Sequence, residues 1–312
     1  GVEKWFLDMV GIATCADMVS LTGENRVLAY YGIKVMQKSP RVGLMRLLRK
    51  LNINQKNLTE DDIGFMLAPR INAASRMGES EQAFRLFSTN DEVEADQLSE
   101  HINKINDERK AAVGFIVKEI KKKLKGKQEK QREGENFKII VAGNPMWGPS
   151  LLGLVANSLA EEHLCPVFLW GRDGRMEIKG SCRAKGNIGV IDIMKNTADG
   201  VFNDFGGHKL SGGFSVSNEK IYFLEEELIQ AYKKIAGDFL ETDEIFIDKK
   251  MDINDVNWKT YNEIEKLAPF GVGNLKPMFL FENIEIKDLK TFGKEKNHLL
   301  LIFEKNSGEK IT

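Results

Sequence analysis

Apolar residues recur at helical spacing through the first third of the chain. Val27 to Val35 and Gly43 to Leu51 place them three and four apart, which predicts two amphipathic helices. Thr59-Glu60-Asp61-Asp62 ahead of Ile63 and Phe65 has the make-up of a helix start, where acidic side chains meet the positive end of the helix dipole. The helical pattern resumes over residues 80–87 and again over a long run at 91–125. Then the period changes. Phe137 to Ala142 and Pro166 to Trp170 are short apolar runs of the kind that form buried strands, and Leu151 to Ala160 reads as a helix between them. Gly171-Arg172-Asp173-Gly174 is a turn into a further strand from Met176 to Ser181, and a helix from Lys220 to Ala236 closes this region. Strands alternating with helices predict a sheet covered by helices. Past residue 241, short strand candidates stand at Glu244–Ile247, Met278–Phe281, Ile284–Leu289 and Leu299–Phe303. Turn signals at Gly271, Gly273-Asn274 and Gly293 separate them, which predicts the first part of a small β-barrel, cut before closure.

Charge changes the picture only locally. The 312 residues carry 45 basic and 46 acidic side chains, a net charge of −1, so the chain as a whole is no polycation. Between Lys104 and Glu133, however, 11 basic face 5 acidic residues. That run is read as a solvated helix and a linker (Gly126 to Asn136), with a hold on a nucleic-acid backbone as the alternative. The apolar stretch from Trp5 to Leu21 is broken by Asp8 and Asp17, which argues against a membrane span. Three cysteines, Cys15, Cys165 and Cys182, make no CxxC pair, and a reducing cytoplasm is expected. The chain opens without Met in an apolar run and closes just after strand-like alternation. Both ends are therefore expected to be cut from a longer protein, leaving apolar surface around Trp5 to Leu21.

Four segments could carry chemistry. In Phe205-Gly206-Gly207-His208-Lys209-Leu210-Ser211-Gly212-Gly213, two glycine pairs flank a His and a Lys. Such glycines can turn backbone N–H groups into an anion-holding nest, which a following helix would strengthen; an ordinary glycine-rich loop is the alternative. In Ala68-Pro69-Arg70-Ile71-Asn72-Ala73-Ala74-Ser75-Arg76-Met77-Gly78, two arginines stand among small residues. Arg offers phosphate a bidentate fork; tight helix packing is the alternative. Gly180-Ser181-Cys182-Arg183-Ala184 could present one guanidinium from a strand to a phosphate; an ordinary strand arginine is the alternative. Asp17, in Ala13-Thr14-Cys15-Ala16-Asp17-Met18-Val19, could be a hard ligand for Mg²⁺ or Mn²⁺, or else a helix cap or buried hydrogen-bonding group. His101, His163 and His298 are expected to be structural or surface residues.

In this order, the segments resemble the RecJ exonucleases of the DHH phosphoesterase superfamily. Ala16 to Val19, with Leu21 and Gly23-Glu24-Asn25-Arg26, is similar to the last DHH-domain motif, and Ala68 to Met77 to a segment characteristic of RecJ. Ile105-Asn106-Asp107-Glu108-Arg109 resembles the start of the long connecting helix. Gly180–Ala184 and Phe205–Gly213 resemble phosphate-gripping motifs of the DHH-associated domain, and Pro269-Phe270-Gly271-Val272-Gly273-Asn274, with Pro277 and Phe279, the entry to the OB-fold. The resemblance departs at Trp147-Gly148-Pro149-Ser150, where a Trp-His pair is usual, and at Cys182 and Ala184, where Gly and Ser are usual. The Asp-His-His triplet and the other aspartate motifs of the family are absent.

The resemblance implies an α/β multidomain fold. Its parts would be the helical C-terminal part of a DHH domain (1–95), a connecting helix and linker (96–133), an α/β DHH-associated domain (134–240) and a partial OB-fold (241–312). It also implies a metal-dependent 5′→3′ exonuclease on single-stranded DNA in repair and recombination, with this chain inactive alone. Asp17 would bind Mn²⁺ or Mg²⁺ in a two-metal site that is incomplete here. Arg70, Arg76, Arg183, Gly206, Gly207 and His208 would hold phosphates, His208 also acting in catalysis. Single-stranded DNA is the expected partner, with a single-strand-binding protein or a helicase as candidate protein partners, and no membrane is involved. Two other readings stay open: a DHH phosphodiesterase on short oligonucleotides or cyclic dinucleotides, and a catalytically silent single-strand-binding module.

Overall fold

The computed structural model describes residues 2–128, 138–172, 174, 177–235, 245–293, 296 and 298–312. Most of the expected linker, the starts of the strands expected at Phe137, Met176 and Glu244, and the end of the helix expected at Ala236 lie outside those residues. Two compact units emerge. One comprises residues 1–69, 90–92 and 243–312, the other residues 70–89 and 93–242.

The first unit is built on helices. Helix α1 (Leu7–Ala16) packs on α2 (Gly23–Met36). The approach is close because both helices place glycine at the crossing: a Cβ on Gly32 would lie 2.6 Å from the Gly11 Cα. Helix α3 (Val42–Lys50) buries Leu44, Leu47 and Leu48, and Ile12, Ala29, Ile33 and Met36 are buried on α1 and α2. At the start of the next helix, the Thr59 backbone N–H and hydroxyl both donate to Asp62 Oδ2, at 2.9 and 3.0 Å, which fixes the helix entry foreseen there. The chain then runs through one π-helical turn (Asp62–Leu67) into α4 (Ala68–Arg76). Pro69 lacks an N–H and crowds the preceding turn of a helix, which accounts for the widened turn beside it.

Of the two aspartates that break the N-terminal apolar stretch, Asp8 is the buried one. Its carboxylate accepts from Arg41 Nε at 2.9 Å, Arg41 Nη2 at 3.2 Å, the Ser39 hydroxyl at 2.8 Å and the Met9 N–H at 2.7 Å. Asp17 instead closes α1 as an exposed residue. The apolar surface expected around it is present: Trp5, Phe6, Met18 and Val19 are exposed, although Ile12 and Leu21 are buried.

The C-terminal part of this unit departs from the expected strand pattern. No strand forms at Ile245–Ile247; β6 is Lys249–Lys250, paired in parallel with β7 (Phe279–Leu280). A helix that the pattern did not show, α10, spans Trp258–Glu265, with Asn257 Oδ1 accepting from the Lys259 and Thr260 N–H groups. Strands β8 (Asp288–Phe292), β9 (His298–Glu304) and β10 (Lys310–Ile311) form a three-stranded antiparallel sheet. The Pro269–Asn274 segment does not lie in a strand. It docks on the helices of its own unit, with Phe270 N–H donating to Glu60 Oε1 at 2.9 Å and Leu21 N–H to the Val272 carbonyl at 2.6 Å.

The second unit holds α5 (Ser80–Ser88), most of α6 (Glu92–Gln128) and an α/β layer structure. Its strands are β1 (Ile140–Gly143), β2 (Val167–Arg172), β3 (Ile178–Arg183), β4 (Asp204–His208) and β5 (Ser211–Val216), in the order β1-β2-β3-β5-β4. Only β1 and β2 are parallel. Successive residues alternate between the two faces. Val167 and Leu169 pack with Ile116, Ile120, Leu152, Val155 and Leu159 of α6 and α7 (Pro149–His163). Phe168, Cys182, Phe214 and Val216 pack with α8 (Val190–Lys195) and α9 (Leu224–Ile235) on the other face.

Removing one partner of a buried, fully hydrogen-bonded ion pair strands the other. Arg41→Ala should lower the unfolding free energy of the first unit by about 3 kcal/mol in urea denaturation, and a loss below about 1 kcal/mol would mean the carboxylate is solvated after all.

Candidate functional site

The register of the sheet sets one row of residues across three strands. Arg183 on β3 pairs with Ser211 on β5, and Ser211 pairs with His208 on β4. Directly paired residues share a face, and two strand steps put Arg183 and His208 roughly 10 Å apart. The face is the one covered by α7, since Arg183 also pairs with the inward-facing Val167. Two residues along, the next row on this face is Ser181, Gly213 and Gly206. A Cβ built on Gly206 meets nothing within 4 Å, and one on Gly213 meets only the Gly180 carbonyl at 3.5 Å. The sheet therefore carries an open strip, floored by glycine and flanked by Ser181, Arg183, Ser211 and His208.

The glycine-rich segment builds this strip in a way the sequence reading did not foresee. It is a hairpin of β4 and β5 with Lys209-Leu210 at the turn, not a nest leading into a helix. Gly207 is required by the backbone: its φ is +140°, and a Cβ there would lie 2.4 Å from the Ser211 carbonyl oxygen. The Leu210 carbonyl accepts from Ala184 N–H at 2.9 Å and the Lys209 carbonyl from Val190 N–H at 2.8 Å, which pins the turn. His208 is exposed at the sheet edge.

Helices bring further guanidinium groups to this unit. Arg183 passes beneath α7 where Gly153 leaves room; a Cβ there would be 2.9 Å from Arg183 Nη2. Arg76 Nη1 donates to the Ser150 carbonyl in the first turn of α7 at 2.9 Å. Arg70 Nε donates to Asn103 Oδ1 on α6 at 2.9 Å. Arg109, one helical turn past Asn106 on α6, was not foreseen as a site residue. Its Nε is buried with no hydrogen-bond partner, as are both side-chain polar atoms of Asn106.

Charge on Arg76, Arg109 and Arg183 is uncompensated among the described residues. Burial lowers the Arg109 guanidinium below its ordinary range, and repulsion from Arg76 and Arg70 lowers it further. Burial also lowers Arg183, opposed by Cys182 and reinforced by Arg76. Burial lowers Arg70, with Asp107 acting in the other direction. All remain cations near neutrality. Among the described residues, Arg76, Arg109 and Arg183 have no carboxylate partner. Each orphaned polar atom costs on the order of 1–3 kcal/mol, so the cluster is built for something that is not itself. An oxyanion matches its charge and its donors.

Of the departures from the family pattern, Cys182 falls away from this face, whereas Ser150 lies in the first turn of α7. Cys182 points to the opposite core, below Gly212, and burial raises its thiol to about 12. Trp147 is buried and donates to Glu119 Oε2 at 3.0 Å; that bond first, and those from Asn144 and Lys123, hold Glu119 below the usual carboxylate range. Gly148, in place of the usual His, has open space where a side chain would stand.

Residues 136–240 match the family model of the DHHA1 domain, and residues 247–312 match that of the RecJ OB domain. The single-stranded-DNA-specific exonuclease RecJ of Bacillus subtilis is 28% identical over 306 residues, covering 97% of this chain and 38% of that protein. The RecJ of Haemophilus influenzae is 28% identical, covering 97% of this chain and 53% of its own length. A crystal structure of Thermus thermophilus RecJ in complex with Mg²⁺ superposes with a TM-score of 0.79 at 25% identity, over 97% of this chain and 47% of that one. This chain is RecJ-like over nearly its whole length. It spans about half or less of the RecJ proteins it matches.

Asp17 is the metal ligand that the RecJ resemblance implies. Among the described residues no three His, Cys, Asp or Glu side chains gather as a metal-binding group. Asp17 lies in the first unit, and Arg70, Arg76, Arg183, Gly206, Gly207 and His208 all lie in the second. No helix among the described residues is long and apolar enough to cross a membrane.

The two strip glycines should respond differently to a methyl group. Gly206→Ala should leave the melting temperature near the parent value, whereas Gly207→Ala should cost at least about 1–3 kcal/mol from backbone strain and collision. Equal melting curves for the two variants would contradict the hairpin geometry.

Proposed function

We propose that the protein works as a metal-dependent 5′→3′ exonuclease on single-stranded DNA in repair and recombination, and that this chain carries its phosphate grip. The Arg183–Ser211–His208 row beside Arg76 carries this reading, because it presents donors and unneutralised cations on an open strip of sheet. In the proposed complex, Arg76 and Arg183 fork onto phosphate oxygens, and His208 and Ser211 donate from the strand edge. Negative charge that grows on the phosphoryl group during cleavage is stabilised by groups that are already in place, so little reorganisation is needed. The glycine floor lets the sugar-phosphate backbone approach the sheet closely. The OB part is proposed to guide the strand by a basic groove and base stacking.

RecJ of Thermus thermophilus has been crystallised with Mg²⁺ and with Mn²⁺, and the same ions are the proposed cofactors here. Hydrolysis through two ions needs several carboxylate and imidazole ligands. Among the described residues Asp17 belongs to no group of three or more such ligands, and the proposal places the water-activating centre outside this set. The proposed division is a DHH part at 1–95, a connector at 96–133, the DHH-associated domain at 134–240 and a partial OB-fold at 241–312. A single-strand-binding protein or a helicase as partner, and a cytoplasmic setting, belong to the same proposal.

Two measurements test it. A fluorescent single strand should bind the chain with an affinity that falls as salt rises, and Arg76→Ala and Arg183→Ala should each weaken binding and reduce the log–log salt slope by about 1. Binding that is indifferent to both arginines would contradict the grip. With Mn²⁺ and a 5′-labelled single strand, this chain alone should release little or no mononucleotide; steady release would contradict the assignment of metal chemistry to residues beyond this set.

A further inference from the structure

A groove of about 390 Å³ opens between α6 and α7, lined by Arg109, Lys110, Val113, Gly114, Val117, Leu154 and Ser158. Its volume falls at the lower end of the range of small-ligand pockets. Ser150, Leu154 and Ser158 follow one another at four-residue spacing and so share a stripe of α7. Ser150, whose carbonyl holds Arg76, opens this stripe, and Leu154 and Ser158 line the groove. On α6, Arg109, Val113 and Val117 repeat the same spacing. The groove thus joins Arg109 of the arginine cluster to an apolar wall. Lys110 is engaged by Asp107 at 3.4 Å, whereas Arg109 has an orphaned Nε and no carboxylate partner among the described residues. A ligand that suits both ends carries an anion next to an apolar, planar body, which describes a nucleotide better than a peptide or a lipid chain.

We propose that the α6–α7 groove takes the nucleotide that adjoins the gripped phosphate on the same strand, with its phosphate on Arg109 and its base and sugar against Val113, Val117 and Leu154. The proposal rests on the phosphate-grip reading and extends it from one phosphate to a path. Gly114 gives a clean way to close that path, since a Cβ built on it meets nothing within 4 Å and a side chain there would occupy the groove without strain.

The test uses the full chain with three probes: thymidine 5′-monophosphate, a 5′-phosphorylated thymidine octanucleotide and inorganic phosphate. Gly114→Leu should weaken the octanucleotide about tenfold and leave the monophosphate unchanged, and Arg109→Ala should weaken the octanucleotide to a similar extent and lower its salt slope by about 1. Circular dichroism melting should show both variants folded. Octanucleotide binding by Gly114→Leu equal to that of the parent overturns the groove assignment, provided Arg183→Ala still weakens all three probes. If Arg183→Ala changes nothing, or the parent binds none of the probes, the phosphate grip itself fails and the groove proposal fails with it.

Discussion

The antiparallel register of β3, β5 and β4 is the constraint on which the site depends. It places Arg183, Ser211 and His208 in one row and leaves Ser181, Gly213 and Gly206 in the next, all on the side of α7. Side chains alternate along a strand, so a slip of one residue in any of the three strands would turn its two members of these rows toward the α8 and α9 core. The register is held by packing on that opposite face. Phe214 fills the space above Gly180, where a Cβ would lie 2.0 Å from its ring, and Cys182 sits under Gly212. The apolar side of the sheet therefore fixes which polar groups can meet an anion on the other.

Charge supplies the second half of the argument. Helices α4 and α6 bring Arg70, Arg76 and Arg109 close enough for their charges to act on one another, and Arg76 also acts on Arg183. Repulsion of this kind costs folding free energy at every turn of the equilibrium, and a fold keeps it where a bound anion reverses its sign. The Asp8–Arg41 pair in the first unit shows the contrast. There a buried carboxylate is met by four donors, and nothing is left for a ligand to do.

Much of this was legible in the sequence, and the misses have physical causes. The helices α2, α3, α5 and α6 were visible because each buries one stripe against a core. Arg76 and Arg183 stood out because arginine among small residues is conspicuous. Arg109 did not, since a charged helix hides one unpaired cation among paired ones such as Lys110 with Asp107 and Lys123 with Glu119. Ser181 and Ser211 could have been found by counting two residues from Arg183 and along the hairpin. The glycine segment was misread as a nest because glycine-rich sequence tells of close approach but not of its partner, and here the partner is another glycine strand. Helix α10 was missed because it buries no side chain, so no apolar stripe marks it. Which family the order of motifs points to was plain from the chain itself; where the charge accumulates needed the structure.

The central claim, that the arginine cluster is where a strand's phosphate sits, is tested most directly by following the arginine Nε–H signals in ¹⁵N-resolved NMR during titration with a 5′-phosphorylated single strand. The account predicts that the Arg76, Arg109 and Arg183 signals shift together and saturate at one concentration, while that of Arg41, locked to Asp8, stays still. Shifts confined to other arginines, with those three unmoved, would contradict it.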